Sequence, residues 1–310
     1  MKFSGHLCDV PGIRVGHSHD QRALTGCTVI LPDEAVTAGV DVRGSAPGTR
    51  EIELLYPTRL VDKINGILLT GGSAFGLDAA CGVVQYLEEK GIGYDTGIIR
   101  VPIVPSAVIF DLNTGDPSIR PDKVMGYNAA VSASRHDRRM GAIGAGIGTT
   151  VGKFAGIDYS MRGGIGSCSY NLGDDIIIAT LVVLNAYGNI IDPHTGETIA
   201  GAFDPKTTTF FNPVDFLLST RIDALNSLTN TTLGIVATNV CLNREQATKI
   251  AQMAQDGFAR AISPAHTTLD GDIIFTISTN SKVIDNTGIL ILGTLAAELM
   301  AWSIIEAINH

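Results

Sequence analysis

A chain of 310 residues with 45% hydrophobic content can bury a sizeable core, and a formal charge of −9 with no run of Lys or Arg argues against a nucleic-acid partner. Thirty-five glycines beside only 6% aromatic residues imply many tight turns and close backbone contacts, without a fibrous repeat. The five cysteines, Cys8, Cys27, Cys81, Cys168 and Cys241, are scattered, odd in number and lack any Cys-x-x-Cys, which fits reduced thiols in a cytoplasmic protein that handles small molecules.

Along the chain, Met1 to Asp20 lacks the apolar centre of a signal peptide, because Asp9, Arg14 and three histidines interrupt it; secretion is not expected. His17-x-His19-Asp20 has no distant partner of metal-ligand type, so it reads as a surface turn and no metal is assigned. Ile67 to Thr70 reads as a buried strand, turned by Gly71-Gly72-Ser73 into a helix over about 76–90. That helix is expected to bury Leu77, Cys81, Val84 and Leu87 and to end at Gly91. Gly144 to Lys153 places glycines before a lysine, but at neither P-loop nor Rossmann spacing, and reads as a structural turn. Strands are expected at 176–185, 231–237 and 272–278. A helix from Arg244, capped by Asn243 with Gln246 three residues on, should bury Ala247, Ile250, Ala251, Ala254 and Phe258. The apolar stretch 289–305 carries Glu298 and reads as a core helix rather than a membrane span. No linker, charge block or repeat divides the chain, so one α/β domain over 1–310 is expected, layered, with mostly antiparallel strands.

Gly-x-Ser-x-Gly, His-Glu-x-x-His and Walker signatures are absent. Two local arrangements remain. Asn230-Thr231-Thr232 follows the polar stretch 226–230 and enters the apolar run Leu233 to Ala237. A threonine at the mouth of a buried strand can offer its hydroxyl rigidly, and cutting the bond before it would place an amine with a pKa of about 8 on the same residue, a built-in general base. Asp270-Gly271-Asp272 precedes another apolar strand, and residues two apart project to one side, so both carboxylates could share a pocket. By themselves these residues equally allow an ordinary strand entry and a solvated turn.

The motifs Pro11-Gly-Ile-Arg-Val-Gly-His17, Thr70-Gly-Gly-Ser-Ala-Phe-Gly-Leu-Asp78, Val101 to Asp111, Gly144 to Lys153, Gly163-Gly-Ile-Gly-Ser167 and Thr231 to Asn239 together resemble one family across nearly the whole chain. It is the self-processing N-terminal-nucleophile hydrolases that include L-aminopeptidase/D-Ala-esterase/amidase, the β-peptidyl aminopeptidases and the 6-aminohexanoate-oligomer (nylon oligomer) endo-hydrolase. The resemblance implies a four-layer αββα sandwich, self-cleavage into 1–230 and 231–310, and hydrolysis of small peptides, β-peptides or oligoamides without a cofactor. It places the nucleophile at Thr231, the residue before the scissile bond at Asn230, the acidic pair of the nylon-oligomer branch at Asp270 and Asp272, a neighbouring lysine at Lys153 and an oxyanion donor at Asn185. Phe110 stands where relatives can carry an active-site tyrosine; with Gly72 and Ser73 it marks the expected substrate and oxyanion neighbourhood. A homotetramer or larger homo-oligomer is implied, with no nucleic-acid or membrane partner. Two alternatives are acyl transfer of the ornithine acetyltransferase type and an uncleaved, non-catalytic scaffold.

Overall fold

The computed structural model describes residues 3–220 and 230–310, so positions 226–229 of the polar stretch before Asn230 lie outside the described residues. Its main elements in chain order are β1 (Ile13–Asp20), β2 (Thr25–Pro32), β3 (Thr37–Val42), β4 (Thr49–Arg50), β5 (Ile67–Thr70), α1 (Ala79–Glu89), β6 (Ser106–Val108) and α2 (Lys123–Ser132). There follow β7 (Gly164–Asn171), β8 (Ile177–Leu184), α3 (Pro213–Ser219), β9 (Leu233–Val240), α4 (Arg244–Ala261), β10 (Ile273–Lys282) and α5 (Asn286–Asn309).

Two five-stranded sheets form, in the orders β1-β2-β5-β6-β4 and β7-β8-β9-β10-β3. Within them only β5 with β6 and β9 with β10 run parallel. Strand alternation assigns each residue to a layer. Ile30, Ile67 and Leu69 of the first sheet face Leu181, Leu233, Ile235, Ile273 and Phe275 of the second, and together they fill the space between the sheets. The alternate residues Cys27, Val29, Leu31 and Leu68 pack on α1 and α2. On the far side, Val182, Val236 and Ile274 pack on α4 and α5. The result is the four-layer αββα sandwich.

Several local expectations hold. Asn243 accepts from the Gln246 N–H and Gln246 reaches back to the Asn243 N–H, closing the capping box of α4, whose five expected core residues are fully buried. α5 is long and apolar enough to cross a membrane, yet 56% of that window is buried, against sheet and α4, and Glu298 pairs with Arg260 at 2.7 Å.

Two expectations need correction. The segment expected as a helix from 76 begins as a 3-10 turn, Ser73–Asp78, and becomes α-helical only at Ala79. Its buried residues are Ala79, Ala80, Gly82, Val83 and Leu87, while Leu77, Cys81 and Val84 are half-buried. Small residues set that rotation: a Cβ on Gly82 would lie 1.9 Å from the Lys123 carbonyl oxygen of α2, and one on Gly126 would lie 1.9 Å from that of Ala79. His17 and His19 sit in strand β1, not in a turn. The His17 ring bonds Thr28 Oγ1 at 2.9 Å and burial pulls its pKa down to about 4, while His19 Nδ1 accepts from the Gly144 N–H at 3.3 Å.

Candidate active site

Parallel neighbours β9 and β10 enter the second sheet from the same end, so the residues that precede them lie side by side. Asn230 and Asp270 extend the ladder by one parallel bridge. The Asn230 N–H donates to the Leu269 carbonyl at 3.0 Å, and the Gly271 N–H donates to the Asn230 carbonyl at 2.8 Å. Thr231 follows, 4% exposed, with its N–H on the Asn185 carbonyl at 3.2 Å, just beyond the end of β8. Its hydroxyl donates to the Asn230 carbonyl oxygen at 2.5 Å.

Asp270 and Asp272 are each 2% exposed, which excludes the solvated turn. Asp272 Oδ1 accepts from the Thr232 N–H at 2.8 Å, and Oδ2 meets both the His266 N–H at 3.2 Å and the His266 Nδ1 at 2.9 Å. Asp270 Oδ2 accepts from the Thr267 N–H at 2.8 Å and hydroxyl at 2.6 Å. Burial, reinforced by the Asp272 charge, holds the Asp270 carboxyl well above the usual carboxylate range, against the Thr267 bonds and Lys153.

Lys153 comes from the short turn after Gly152, whose φ of +76° and lack of Cβ let the chain pass the Ala202 backbone. Its ammonium donates to the Asn185 backbone carbonyl at 3.1 Å and to Asn185 Oδ1 at 2.6 Å. Thr231 N and Lys153 Nζ therefore converge on one carbonyl oxygen. Complete burial pulls the Lys153 pKa down to about 7, opposed by Asp270, Asp111 and Asp272. Asn185 Oδ1 also accepts from the Thr150 N–H at 3.1 Å, which fixes the amide orientation, and Nδ2 donates to the Phe110 carbonyl at 2.9 Å.

The structure thus gathers Asn230, Thr231, Asp270, Asp272, Lys153 and Asn185. Phe110 joins through its backbone carbonyl. Gly72 and Ser73, both with positive φ, bind elsewhere: the Gly72 N–H donates to Asp111 Oδ1 at 2.7 Å and the Ser73 N–H to the Ile109 carbonyl at 3.0 Å. Three participants escaped sequence reasoning. His266 and the Gly271 N–H carry no spacing signal, and Asp111 was visible only as the end of the Val101 to Asp111 motif. Asp111 Oδ2 accepts from Thr25 Oγ1 at 2.7 Å, and burial raises its pKa. Among the described residues no three His, Cys, Asp or Glu cluster as metal ligands.

Comparison with known proteins supplies a second, independent line. The model of peptidase family S58 matches residues 5–310. An uncharacterized aminopeptidase of Mycobacterium tuberculosis is 39% identical over 297 residues, covering 90% of this chain and 82% of the relative. A 6-aminohexanoate-oligomer endohydrolase of Agromyces sp. is 32% identical over 313 residues, covering 96% and 84%. The solved L-aminopeptidase D-Ala-esterase/amidase of Ochrobactrum anthropi, described as a variant of the N-terminal-nucleophile hydrolase fold, superposes with a TM-score of 0.75 at 16% identity, covering 99% of this chain and 87% of that one.

Proposed function

The chain belongs to peptidase family S58 and is a hydrolase of peptide or amide bonds, and on that footing we propose that it cleaves itself between Asn230 and Thr231 and then uses Thr231 as its N-terminal nucleophile. The observation that carries this reading is the Thr231 hydroxyl lying 2.5 Å from the carbonyl oxygen of the bond to be cut. In the first step Thr231 Oγ1 bonds to the Asn230 carbonyl carbon, the Asn230–Thr231 C–N bond breaks, and the hydroxyl proton ends on the Thr231 nitrogen. Water then resolves the ester to the Asn230 carboxylate and restores the hydroxyl.

The freed amine, with a pKa of about 8, becomes the general base for turnover. Lys153, with its neutral form accessible near pH 7, relays the hydroxyl proton, and the Asn185 carbonyl it shares with Thr231 N holds the amine in place. Asp272 anchors Thr232 directly beside the nucleophile. The Asn185 side-chain amide gives one N–H to the Phe110 carbonyl and keeps a second N–H for an oxyanion. Substrates are small peptides, β-peptides or oligoamides, and the Asp270/Asp272 pair favours the oligoamide side. Residues 1–310 act as a single catalytic unit, assembled as a homotetramer or larger homo-oligomer.

Thr231→Ala should leave one uncut chain with no amidase activity; two-chain processing in that variant sinks the assignment. Acetylglutamate formation from acetylornithine and glutamate would instead mark an acyltransferase.

A further inference from the structure

Resting on the self-cleavage reading, we propose that the backbone N–H of Gly271 is an oxyanion donor, used first on the Asn230 carbonyl during self-cleavage and then on the substrate carbonyl during turnover. Among the described residues, Thr231 Oγ1 and Gly271 N both donate to the Asn230 carbonyl oxygen in the intact chain, the latter at 2.8 Å. When the hydroxyl loses its proton and attacks, the Gly271 N–H still donates, and it faces the oxygen on which negative charge develops. The ester on Thr231 Oγ1 formed in self-cleavage is the same linkage as the acyl-enzyme formed from substrate. A donor placed for the first is therefore placed for the second.

That N–H is held rigidly, as electrostatic stabilisation requires. Asp270 is tied by Thr267 and Asp272 by His266 and the Thr232 N–H. On the opposite edge the Ala46 N–H donates to the Asp270 carbonyl at 2.9 Å, and the Arg43 N–H to the Asp272 carbonyl at 3.0 Å. The two acids thereby fix the amide between them. Residue 271 must also lack a side chain, because a Cβ there would stand 2.7 Å from Thr231 Oγ1. The Asn185 amide gives one N–H to the Phe110 carbonyl and has a second that can act beside the Gly271 N–H.

Exchanging the Gly271 amide for an ester, with glycolic acid incorporated in place of glycine, deletes the N–H and keeps the shape. Self-cleavage of the full chain is expected to slow about 100-fold or more, and the chain that eventually matures should lose kcat with KM unchanged. The same exchange at Gly141, whose N–H donates to the Ile165 carbonyl, leaves both rates as in wild type. A Gly271 ester chain that cleaves at the wild-type rate, while wild type itself processes normally, overturns this inference alone. A wild-type chain that never cleaves overturns the self-cleavage reading and this inference with it. Should the ester chain fail to fold, the whole Thr231→Ala chain provides the measurement: a nuclear spin coupling from the Gly271 15N to the Asn230 carbonyl 13C supports the donor, and its absence overturns it.

Discussion

Lys153 is a fully buried lysine within the electrostatic reach of Asp270, Asp111 and Asp272, and under the proposed mechanism its charge decides when the site can work. Burial disfavours the ammonium, so the neutral amine exists above about pH 7. If that amine relays the Thr231 proton, self-cleavage should be slow at pH 5.5 and rise to a plateau with a midpoint near pH 7; Lys153→Met should remove the inflection, and a wild-type midpoint far from 7 contradicts the relay. The same shift affects stability. The unfolded lysine keeps its proton up to its ordinary 10.5 while the folded one releases it at about 7, so the uncut Thr231→Ala chain should gain stability as pH rises between those values. Asp270→Ala and Asp272→Ala, each removing an acid that locks the 270–272 turn, should slow processing about 100-fold; wild-type rates in both would make the acids bystanders. The acids and Thr231 stood out locally, as residues two apart on an extended chain and as a polar stretch meeting an apolar strand, but it was the family resemblance that set them apart from a solvated turn and an ordinary strand entry. His266 and Asp111 were not, because a lone side chain in a loop acquires partners only when distant elements fold over it.

At the scale of elements, α4 shows what a sequence can carry unaided. Its 3.6-residue apolar spacing and its capping box are both local, and Asn243→Ala should lower stability by about 1 kcal/mol in a denaturant titration. α1 shows what it cannot carry. Leu77, Cys81 and Val84 form a plausible apolar stripe, yet the buried face is chosen by α2, which approaches so closely that only Gly82 and Gly126 fit between the helices. Gly82→Ala should cost about 1–3 kcal/mol by forcing the helices apart. Self-cleavage of the folded fraction should stay normal, because α1 packs on the first sheet while the candidate site lies where β9 and β10 enter the second.

Across the whole molecule, the strands on either side of the proposed cleavage point are interleaved. β9 pairs with β8, β10 pairs with β3, and α5 packs on β7 and β8. This order was not readable from the sequence, since β3 leaves its chain neighbours β1 and β2 to complete the other sheet. A cut after Asn230 therefore opens the chain without opening the sheet, and the two pieces should co-elute in native buffer and separate only in denaturant. Intact-mass spectrometry of the purified protein after overnight incubation at pH 8 tests the central claim most directly. Two masses dividing the chain between Asn230 and Thr231 are the expected result, and a single persistent full-length mass would contradict Thr231 as an N-terminal nucleophile.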